Sequence, residues 1–273
     1  MTTHNYFAYG SNLNAQDLQR WCREENVPYR PLKRRCVAYL PDHELAFTFK
    51  SKRREGGVLD IRSRIGQAVA GVVFEIDDAQ LAIIDRKEGA PTSYRQIKTV
   101  VLDDNGQEIP VVTYQVVEQR RQAFVPPSGA YVEVVRAGFQ DHDLPDDMLD
   151  ASAANQSPSL HTDGLFVYGT LMRGECRFEH LASFGLLCSL LARAFGRLVD
   201  LGSYPGLLDL GDDSSLVAGD FLRLKDFESA IKSLDRIEGF AGFGQPGSLF
   251  RRTLISVDVG EGRNWTAVPR TSH

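Results

Sequence analysis

The sequence predicts an α+β fold present in two copies, each a small mixed sheet with flanking helices. Three observations lead to this prediction. A motif of aromatic residues, glycine and small polar residues occurs twice, as FAYGSNL at 7–13 and as FVYGTL at 166–171. A second motif, Asp-Arg-x-Glu-Gly, follows each of them. Strand-like runs outnumber helical ones and often follow one another directly, which favours a mostly antiparallel, barrel-like sheet over a Rossmann alternation.

The two motifs recur in the same order and at similar separation. Tyr9 precedes Glu88 by 79 residues, and Tyr168 precedes Glu238 by 70. One shared tetrapeptide could arise by chance, whereas two ordered motifs indicate a duplicated domain. We therefore predict a first domain over residues 1–148 and a second over 163–273. The segment 149–162 is predicted to be a linker, because its Asp, Ser, Ala and Pro residues bury too little apolar surface to offset the entropy of ordering.

The elements of the first half follow from its hydrophobic pattern. A strand is expected first, then a helix, and then a series of strands interrupted by a short helix, with a last helix after Pro127 and Ser128. The predicted strands are 5–9, 35–40, 44–49, 69–76, 96–102 and 109–117, and the predicted helices are 14–24, 77–85 and 130–138.

The second half shows the same mixture in a shorter chain. It also begins with a strand that ends in a Tyr-Gly turn, and a helix again precedes the Asp-Arg-x-Glu-Gly motif. The predicted strands are 164–168, 192–199, 206–210, 216–223, 250–259 and 264–268, and the predicted helices are 176–184 and 226–236.

Composition limits the class of protein. The 273 residues exceed one typical domain of roughly 100–200 residues. A net charge of −5 provides no basic field for nucleic acid or anionic lipid. No signal peptide and no apolar run of about 18 residues is apparent, so a cytoplasmic protein without membrane contact is expected. Four scattered cysteines are expected to be reduced thiols, and Asp141-His142-Asp143 lacks the spacing of a metal site.

The Tyr-Gly turn admits two interpretations. Successive backbone N–H groups in a tight turn before a helix can bind an anion, and the helix N-terminus adds partial positive charge. Such a turn suits a carboxylate or a developing oxyanion. The alternative is an ordinary strand-to-helix turn in which Ser11 or Asn12 caps the helix. Recurrence of the turn at Thr170 favours the anion site without removing the alternative.

Glu88 and Glu238 each follow an apolar helix and precede a glycine. A carboxylate in that position can be partly desolvated, which raises its pKa towards the range of a general base. The C-terminus of a helix is also an unfavourable place for an anion. The alternative is a solvated surface glutamate, which is the usual case.

The sequence shows no motif typical of a catalytic serine or cysteine nucleophile. No Ser or Cys occupies a Gly-x-Ser-x-Gly turn. A base and an anion site without a protein nucleophile or a metal suit a substrate that carries its own nucleophile. The protein then needs only to hold the substrate in the reactive conformation and to move protons.

These residues resemble the γ-glutamylcyclotransferase family. In the first half the resemblance covers most of 5–146 and rests on YFAYGSNL, GGVLDI at 56–61, AGVVF at 70–74, DRKEG at 85–89, PPSGAY at 126–131, Gly138 and Leu144-Pro145. The second half is similar to the γ-glutamylamine cyclotransferase branch over about 164–265, through FVYGTLMRG, His180, LVDLGSYPGLL at 198–208, Gly219-Asp220, LDRIEG and Phe250-Arg251-Arg252.

The resemblance implies a small β-barrel with flanking helices in each half, and a reaction without a cofactor. The α-amine of a γ-glutamyl substrate attacks its own γ-carbonyl, 5-oxoproline forms, and an amine or amino acid leaves. Glu88 and Glu238 fall on the catalytic glutamate of the family. Tyr94 and Tyr114 match tyrosines that line its cavity, and the loop that holds the glutamyl end by its N–H groups matches Tyr9, Gly10, Ser11, Asn12 and Leu13, and Tyr168, Gly169, Thr170 and Leu171.

The second half departs from the family pattern. Phe250 and Ala267 stand where relatives usually carry tyrosine. We therefore expect the first half to carry most of the activity, and the second to be slower, tuned to a less polar leaving group, or mainly structural. Two other functions remain as alternatives: removal of a γ-glutamyl cap from a biosynthetic intermediate, and binding of a small anionic metabolite without turnover.

Overall fold

The computed structural model describes residues 2–156, 164–200, 202, 205–208, 215–259 and 264–269. The chain divides into two compact units. The first contains residues 1–64, 68–103 and 109–159, and the second contains 160–273 with the short segments 65–67 and 104–108. Both units mix helices with a predominantly antiparallel sheet, which confirms the predicted α+β class.

The first half contains five strands and four helices. In chain order they are β1 (Thr3–Ala8), α1 (Ala15–Glu24), β2 (Lys33–Ser51), β3 (Gly56–Asp77), α2 (Asp78–Glu88), β4 (Tyr94–Asp103), β5 (Glu108–Val116), α3 (Gly129–Gln140) and α4 (Asp147–Ala153), with 3-10 turns at Ser11–Leu13 and Glu118–Arg120.

The five strands close into a barrel in the order β1-β3-β2-β4-β5. β1 is antiparallel to β3, with Phe7 opposite Val73, and parallel to β5, with Tyr6 opposite Val112. Phe7, Val73 and their neighbours fill the interior and are fully buried. Since β1 is bonded on both sides, the turn that follows it opens at one end of a rigid barrel.

The structure corrects the predicted strands 35–40 and 44–49, which form the single strand β2. Asp42 takes a φ of +56°, and the register with β3 shifts between Pro41 and His43. Such a bulge bends a strand without ending it. The pattern also missed the first half of β3, because residues 56–68 contain three glycines, which weaken a strand prediction.

The predicted linker 149–162 is wrong at its beginning. Residues 147–153 form α4, in which Leu149 is fully buried and the Ser152 Oγ lies 2.8 and 2.6 Å from the backbone oxygens of Leu45 and Met148, either of which can accept its proton. One well-placed leucine and a serine that bonds to a strand anchor a segment whose composition is otherwise that of a linker. Residues 157–163 lie outside the described part of the chain.

The second half contains seven described strands and two helices: β6 (Gly164–Val167), α5 (Phe178–Ala182), β7 (Leu186–Phe195), β8 (Arg197–Asp200), β9 (Pro205–Leu208), β10 (Leu216–Leu224), α6 (Phe227–Ile237), β11 (Phe250–Ile255) and β12 (Asn264–Pro269), with a 3-10 turn at Gly169–Leu171. The predicted strand 192–199 is divided into β7 and β8 at Gly196, and the predicted strand 250–259 ends at Ile255.

The sheet of the second half repeats the strand order of the first. Its order β11-β12-β6-β10-β7 matches β4-β5-β1-β3-β2, and β12 runs parallel to β6 as β5 does to β1. Within the described residues no ladder joins β7 to β11, so the closed barrel is described for the first half and an open sheet for the second.

One close approach is the same in both halves. A Cβ on Gly71 of β3 would lie 2.3 Å from the Ala8 oxygen and 2.6 Å from the Phe7 ring. A Cβ on Gly219 of β10 would lie 2.4 Å from the Val167 oxygen and 2.6 Å from the Phe166 ring. In each half, the phenylalanine one residue before the end of the first strand thus lies against a glycine of the neighbouring strand. This shared contact supports the duplication of the domain.

Candidate functional site

Glu88 is the last residue of α2, and the helix places it inside the barrel end. A capping box fixes the start of α2: the Asp77 side chain accepts from the Gln80 N–H, and the Gln80 side chain accepts from the Asp77 N–H. Ile84 is buried against the barrel. Residues three and four positions further along a helix share its face. Lys87 and Glu88 therefore both turn towards the interior.

The turn after β1 is held by its own backbone. The Leu13 N–H donates to the Gly10 oxygen at 3.0 Å, and the Asn14 N–H donates to the Ser11 oxygen at 3.2 Å. Asn14 caps α1, since its side chain accepts from the Asp17 N–H at 2.9 Å. The capping role that was the alternative for Ser11 or Asn12 thus belongs to Asn14.

Helix α3 supports this turn from behind. The Asn14 side chain donates to the Val134 oxygen at 3.0 Å, and the His142 Nε2–H donates to the Leu13 oxygen at 3.3 Å. A Cβ on Gly138 would lie 2.8 Å from the Asn14 nitrogen. Glycine at 138 therefore allows the helix to lie directly against the turn.

Asn12 joins the turn to the glutamate. Its Nδ2 donates to Glu88 Oε1 and to the Tyr6 hydroxyl, both at 2.7 Å. The Asn12 side chain is buried, so these bonds lie out of reach of bulk solvent. The two predicted motifs thus meet through a side-chain contact that sequence reasoning, which assigned the turn a backbone role, did not include.

Five tyrosines line the cavity beside Glu88. Its volume is about 30 Å³, room for about two water molecules. The Tyr94 hydroxyl donates to the backbone oxygen of Leu59 at 2.6 Å, and the Tyr9 hydroxyl donates to the backbone oxygen of Tyr114 at 2.8 Å. The Tyr114 hydroxyl in turn donates to Asp85 Oδ1 at 2.7 Å. A hydroxyl that donates in this way can still accept a hydrogen bond. The lining consists of Tyr6, Tyr9, Gly10, Ser11, Asn12, Leu59, Glu88, Tyr94, Tyr114 and Tyr131.

Burial is the main cause of the pKa shifts of Glu88 and Tyr131, two side chains that line this cavity. Desolvation raises the pKa of Glu88, and the nearby Lys87, the Asn12 hydrogen bond and Arg54 partly oppose that rise. Desolvation also raises the pKa of Tyr131 to about 12, so this phenol stays protonated at neutral pH. The geometry provides a carboxyl group whose affinity for a proton is increased, in a hydroxyl-rich surrounding close to the charges of Lys87 and Arg54.

The second half builds a related site around Glu238, the residue that follows α6. Ile231 and Leu234 are buried, and Glu238 lies four residues after Leu234 on the same face. The Tyr168 hydroxyl accepts from the Leu207 N–H at 3.2 Å. Desolvation raises the pKa of Glu238, and the positive charge of Arg177 opposes that rise.

The cavity of the second site is larger and more apolar. It measures about 160 Å³. Tyr168, Thr170, Leu171 and Glu238 line it, whereas Gly169 is not part of the lining and takes a φ of +71°. The remaining lining consists of Leu165, Phe166, Val167, Arg177, Pro205, Ile231, Leu234, Asp235, Ile237, Phe240, Leu249, Phe250, Arg252 and Thr266.

An arginine takes the place of neutral donors in the second site. In the first, the Tyr114 hydroxyl and the Gln96 amide donate to Asp85 at 2.7 and 2.6 Å. Arg252 corresponds to Gln96 in the sequence, and its Nε lies 3.5 Å from Asp235 Oδ1. The aspartate of the repeated motif therefore has a neutral environment in one half and an ion pair in the other.

The structure brings Glu88 together with the predicted residues Tyr9, Gly10, Ser11, Asn12, Tyr94 and Tyr114, and places Leu13 behind the turn as a buried packing residue. Sequence reasoning missed Tyr6, Lys87, Asp85 and Tyr131 as cavity or network residues. Tyr131 lies in the PPSGAY motif, and Asp85 and Lys87 lie in the same Asp-Arg-Lys-Glu-Gly motif as Glu88. Their membership of these motifs is the signal in the sequence that could have identified them.

No helix among the described residues has the length and apolar character needed to cross a membrane. No group of three or more His, Cys, Asp or Glu side chains in this part of the chain is arranged to hold a metal ion.

Comparisons with known proteins relate both halves to one group. Residues 165–268 match the family described as γ-glutamyl cyclotransferase, AIG2-like, and residues 68–151 match the AIG2-like family. The chain is 31% identical over 145 residues to the γ-glutamylcyclotransferase of Bos taurus, covering 51% of this chain and 72% of that protein.

A second relative and a solved structure are also named as γ-glutamyl cyclotransferases. The chain is 38% identical over 107 residues to the γ-L-glutamyl-butirosin B γ-glutamyl cyclotransferase of Niallia circulans, covering 38% of this chain and 65% of that protein. A solved structure titled γ-glutamyl cyclotransferase matches with a TM-score of 0.47 and 27% identity, over 58% of this chain and 90% of that chain.

Proposed function

The chain belongs to the γ-glutamylcyclotransferase family, and from that premise we propose that it releases 5-oxoproline from a γ-glutamyl amino acid, peptide or amine. The α-amine of the substrate attacks its own γ-carbonyl, a C–N bond closes the five-membered lactam, and the bond to the departing nitrogen breaks. No cofactor takes part in the proposed reaction. The observation that carries the proposal is the 2.7 Å contact between Asn12 and Glu88, which unites both repeated motifs in one tyrosine-lined cavity.

Glu88 is proposed as the general acid and base. It takes a proton from the substrate α-ammonium, which frees the nitrogen lone pair for attack, and gives a proton to the departing nitrogen. Burial raises the pKa of this carboxyl, which supports the role because a stronger base takes the ammonium proton more readily.

The turn at residues 10–13 is proposed to hold the glutamyl end. The N–H groups of Leu13 and Asn14 are used within the turn, so those of Ser11 and Asn12 are the proposed donors to the substrate carboxylate. With the carboxylate held at the turn and the α-amine beside Glu88, the amine is oriented for attack on the γ-carbonyl. Intramolecular attack in a well-oriented substrate is worth roughly 7–11 kcal/mol of the barrier.

The site at Glu238 is proposed to act on a less polar leaving group, or more slowly. The base and the Tyr-Gly-Thr turn are present. Leu165 and Phe250 stand where the first site has Tyr6 and Tyr94, and they line an apolar cavity. Fewer hydroxyls remain to bind a polar leaving group.

A second candidate function is removal of a γ-glutamyl cap from a biosynthetic intermediate. The match to the protein of Niallia circulans, whose name specifies γ-L-glutamyl-butirosin B, favours it. The chemistry at the glutamyl end is the same, and the two candidates differ only in the amine that leaves.

The test is incubation of the full chain with γ-glutamyl-alanine and detection of 5-oxoproline. In a chain that already carries Glu238→Gln, Glu88→Gln is expected to lower turnover by about 10²–10⁴-fold, because glutamine keeps the shape but accepts no proton. Glu133→Gln, which changes a 71% exposed glutamate of the same half, is the matched control and should leave turnover unchanged. Saturable binding without any 5-oxoproline would instead favour a metabolite-binding protein.

A further inference from the structure

Lys87 is a buried cation that the proposed reaction does not use. Its side chain is 5% exposed and lies directly beside the proposed base. Nζ donates to Asn12 Oδ1 at 2.5 Å and to Ser11 Oγ at 3.2 Å, and it lies 3.7 Å from Asp17 Oδ2. An ammonium group has three donors. Two of them are donated to the turn after β1, and the charge of the group lies close to Asp17 at the start of the helix that follows it.

The bond from Lys87 determines how the Asn12 amide points. An asparagine side chain has an acceptor oxygen and a donor nitrogen on opposite sides. Because Lys87 can only donate, Oδ1 must face it, and Nδ2 then faces Glu88 and Tyr6 at 2.7 Å each. With the amide reversed, the ammonium would meet a donor and the Glu88 carboxylate would meet an acceptor.

The other nearby cation is engaged elsewhere. Arg54 donates to both oxygens of Asp17, at 3.0 and 2.5 Å, and its guanidinium lies 5.3 Å from the centre of the Tyr131 ring. This bidentate pair holds Asp17, whose Oδ2 lies 3.7 Å from the Lys87 Nζ. The ammonium group is thereby placed between Asp17 and the Asn12 amide.

The second half provides an internal comparison. Leu171 occupies the position of Asn12 in the turn, and Ile237 occupies the position of Lys87 in the Asp-Arg-x-Glu-Gly motif. Both line the cavity of Glu238. Both members of the polar pair are thus apolar in the second half, as expected if the lysine and the asparagine act together.

We propose that Lys87 is a positioning residue of the first site: it orients the Asn12 amide so that this side chain holds the Glu88 carboxylate towards the substrate, and its charge favours the ionised base. The catalytic part of this inference rests on the proposed cyclotransferase function. The second site, which lacks the pair, is left with a less constrained glutamate.

Among the described residues, two cations act on the Glu88 carboxyl, Lys87 and Arg54, and Arg54 is held in a bidentate pair with Asp17. The carboxyl is surrounded by Lys87 on its own helix, Arg54 from the segment between β2 and β3, and the tyrosines of β1 and the turn after it, β4, β5 and α3. Asp17 pairs with Arg54 and lies 3.7 Å from Lys87, and the charge of Asp60 acts on Tyr9. These tyrosines are Tyr6, Tyr9, Tyr94, Tyr114 and Tyr131.

The test compares Lys87→Met with Arg86→Met in the full chain. Both remove one positive charge from the same helical turn, but Arg86 is 54% exposed and pairs with Glu25 outside the cavity. Lys87→Met is expected to lower kcat/KM at least about tenfold, the effect of one hydrogen bond to a charged group. It should also raise the titration midpoint of the Glu88 carboxyl, followed by carbon-13 NMR with the signal assigned through Glu88→Gln. Arg86→Met should change neither.

A double-variant cycle tests whether Lys87 acts through Asn12. If it does, Lys87→Met combined with Asn12→Leu is expected to be within about threefold of the worse single variant in kcat/KM. If the fold-losses in kcat/KM of the two single variants multiply in the double variant, Lys87 does not act through Asn12. An unchanged titration midpoint of the Glu88 carboxyl in Lys87→Met would also overturn the proposal.

Two further measurements keep the outcomes separate. Should Lys87→Met fail to fold, as judged by its thermal unfolding, Lys87→Gln decides: a wild-type Glu88 midpoint in that neutral variant overturns the proposal. If the wild type releases no 5-oxoproline from any γ-glutamyl compound, the proposed function fails. The carboxyl titration still decides whether Lys87 controls Glu88.

Discussion

The shifted pKa of the Glu88 carboxyl should make the stability of the protein depend on pH. Burial raises the pKa of Glu88 above the ordinary value of 4.5, although Lys87 and Asn12 favour the ionised form. A carboxyl that binds its proton more tightly when folded contributes stability that is fully present below 4.5 and is lost as the pH rises through the folded pKa. Glu88→Gln avoids that loss. We expect the variant to gain stability relative to the wild type as the pH increases from about 4 to 8.

Urea denaturation at several pH values measures this difference. Glu133→Gln, whose carboxyl is exposed, is expected to stay close to the wild type across the same range. A constant difference between Glu88→Gln and the wild type at all pH values would show that the folded protein does not alter the ionisation of Glu88.

The residues that the sequence could identify are those whose position in a motif is unusual. Glu88 ends an apolar helix where an anion is unfavourable, and Gly10 ends a strand abruptly. Lys87 gave no such indication, because a lysine in the last turn of a helix is ordinary. That it is buried follows from the way α2 lies across the end of the barrel, which one sequence does not encode locally.

At the scale of elements, the shared glycine contact predicts equal effects in both halves. Gly71→Ala and Gly219→Ala would each press a methyl group against a backbone oxygen and a phenylalanine ring at 2.3–2.7 Å. Overpacking of this kind costs typically about 1–3 kcal/mol. We expect each variant to lower the free energy of unfolding by about that amount, measured by chemical denaturation.

Gly129→Ala is the matched control for these two variants. No atom lies within 4 Å of the position its Cβ would take, and it begins α3, where alanine is the better helix former. It should be neutral or slightly stabilising. If Gly219→Ala were as harmless as Gly129→Ala, the two halves would not share the packing that their strand order indicates.

The prediction of elements succeeded where periodicity was strong and failed where a strand continued through a break. The helix capped by Asn14 and the helix after Ser128 lie where the pattern placed them. β2 continues through Pro41 and Asp42, two residues typical of turns, because its neighbour β3 provides hydrogen bonds on both sides of the bulge. Tertiary pairing of that kind is invisible in local composition.

At the scale of the whole molecule, duplication has produced two carboxylates in different surroundings. The first site places Glu88 among tyrosines, an asparagine and a lysine in a cavity of about 30 Å³. The second places Glu238 in a cavity of about 160 Å³ with leucine, isoleucine and phenylalanine walls. A polar cavity selects by hydrogen bonds, and a site whose buried polar groups are left unpaired rejects the wrong substrate strongly. An apolar cavity selects mainly by volume and contact area.

The two sites should therefore be separable by substrate. In the full chain, Glu88→Gln is expected to remove most of the 5-oxoproline release from γ-glutamyl-alanine. Glu238→Gln should remove little of it, because each hydrogen bond to a charged group that the second site lacks is worth roughly 1.5–3 kcal/mol. With a γ-glutamyl amide of an aliphatic amine, which fits apolar walls, the share lost in Glu238→Gln should increase. Rates of the single variants and of the double variant, which should be inactive, measure the partition. Loss of most γ-glutamyl-alanine turnover in Glu238→Gln, with little loss in Glu88→Gln, would reverse this ranking and assign the activity to the apolar cavity.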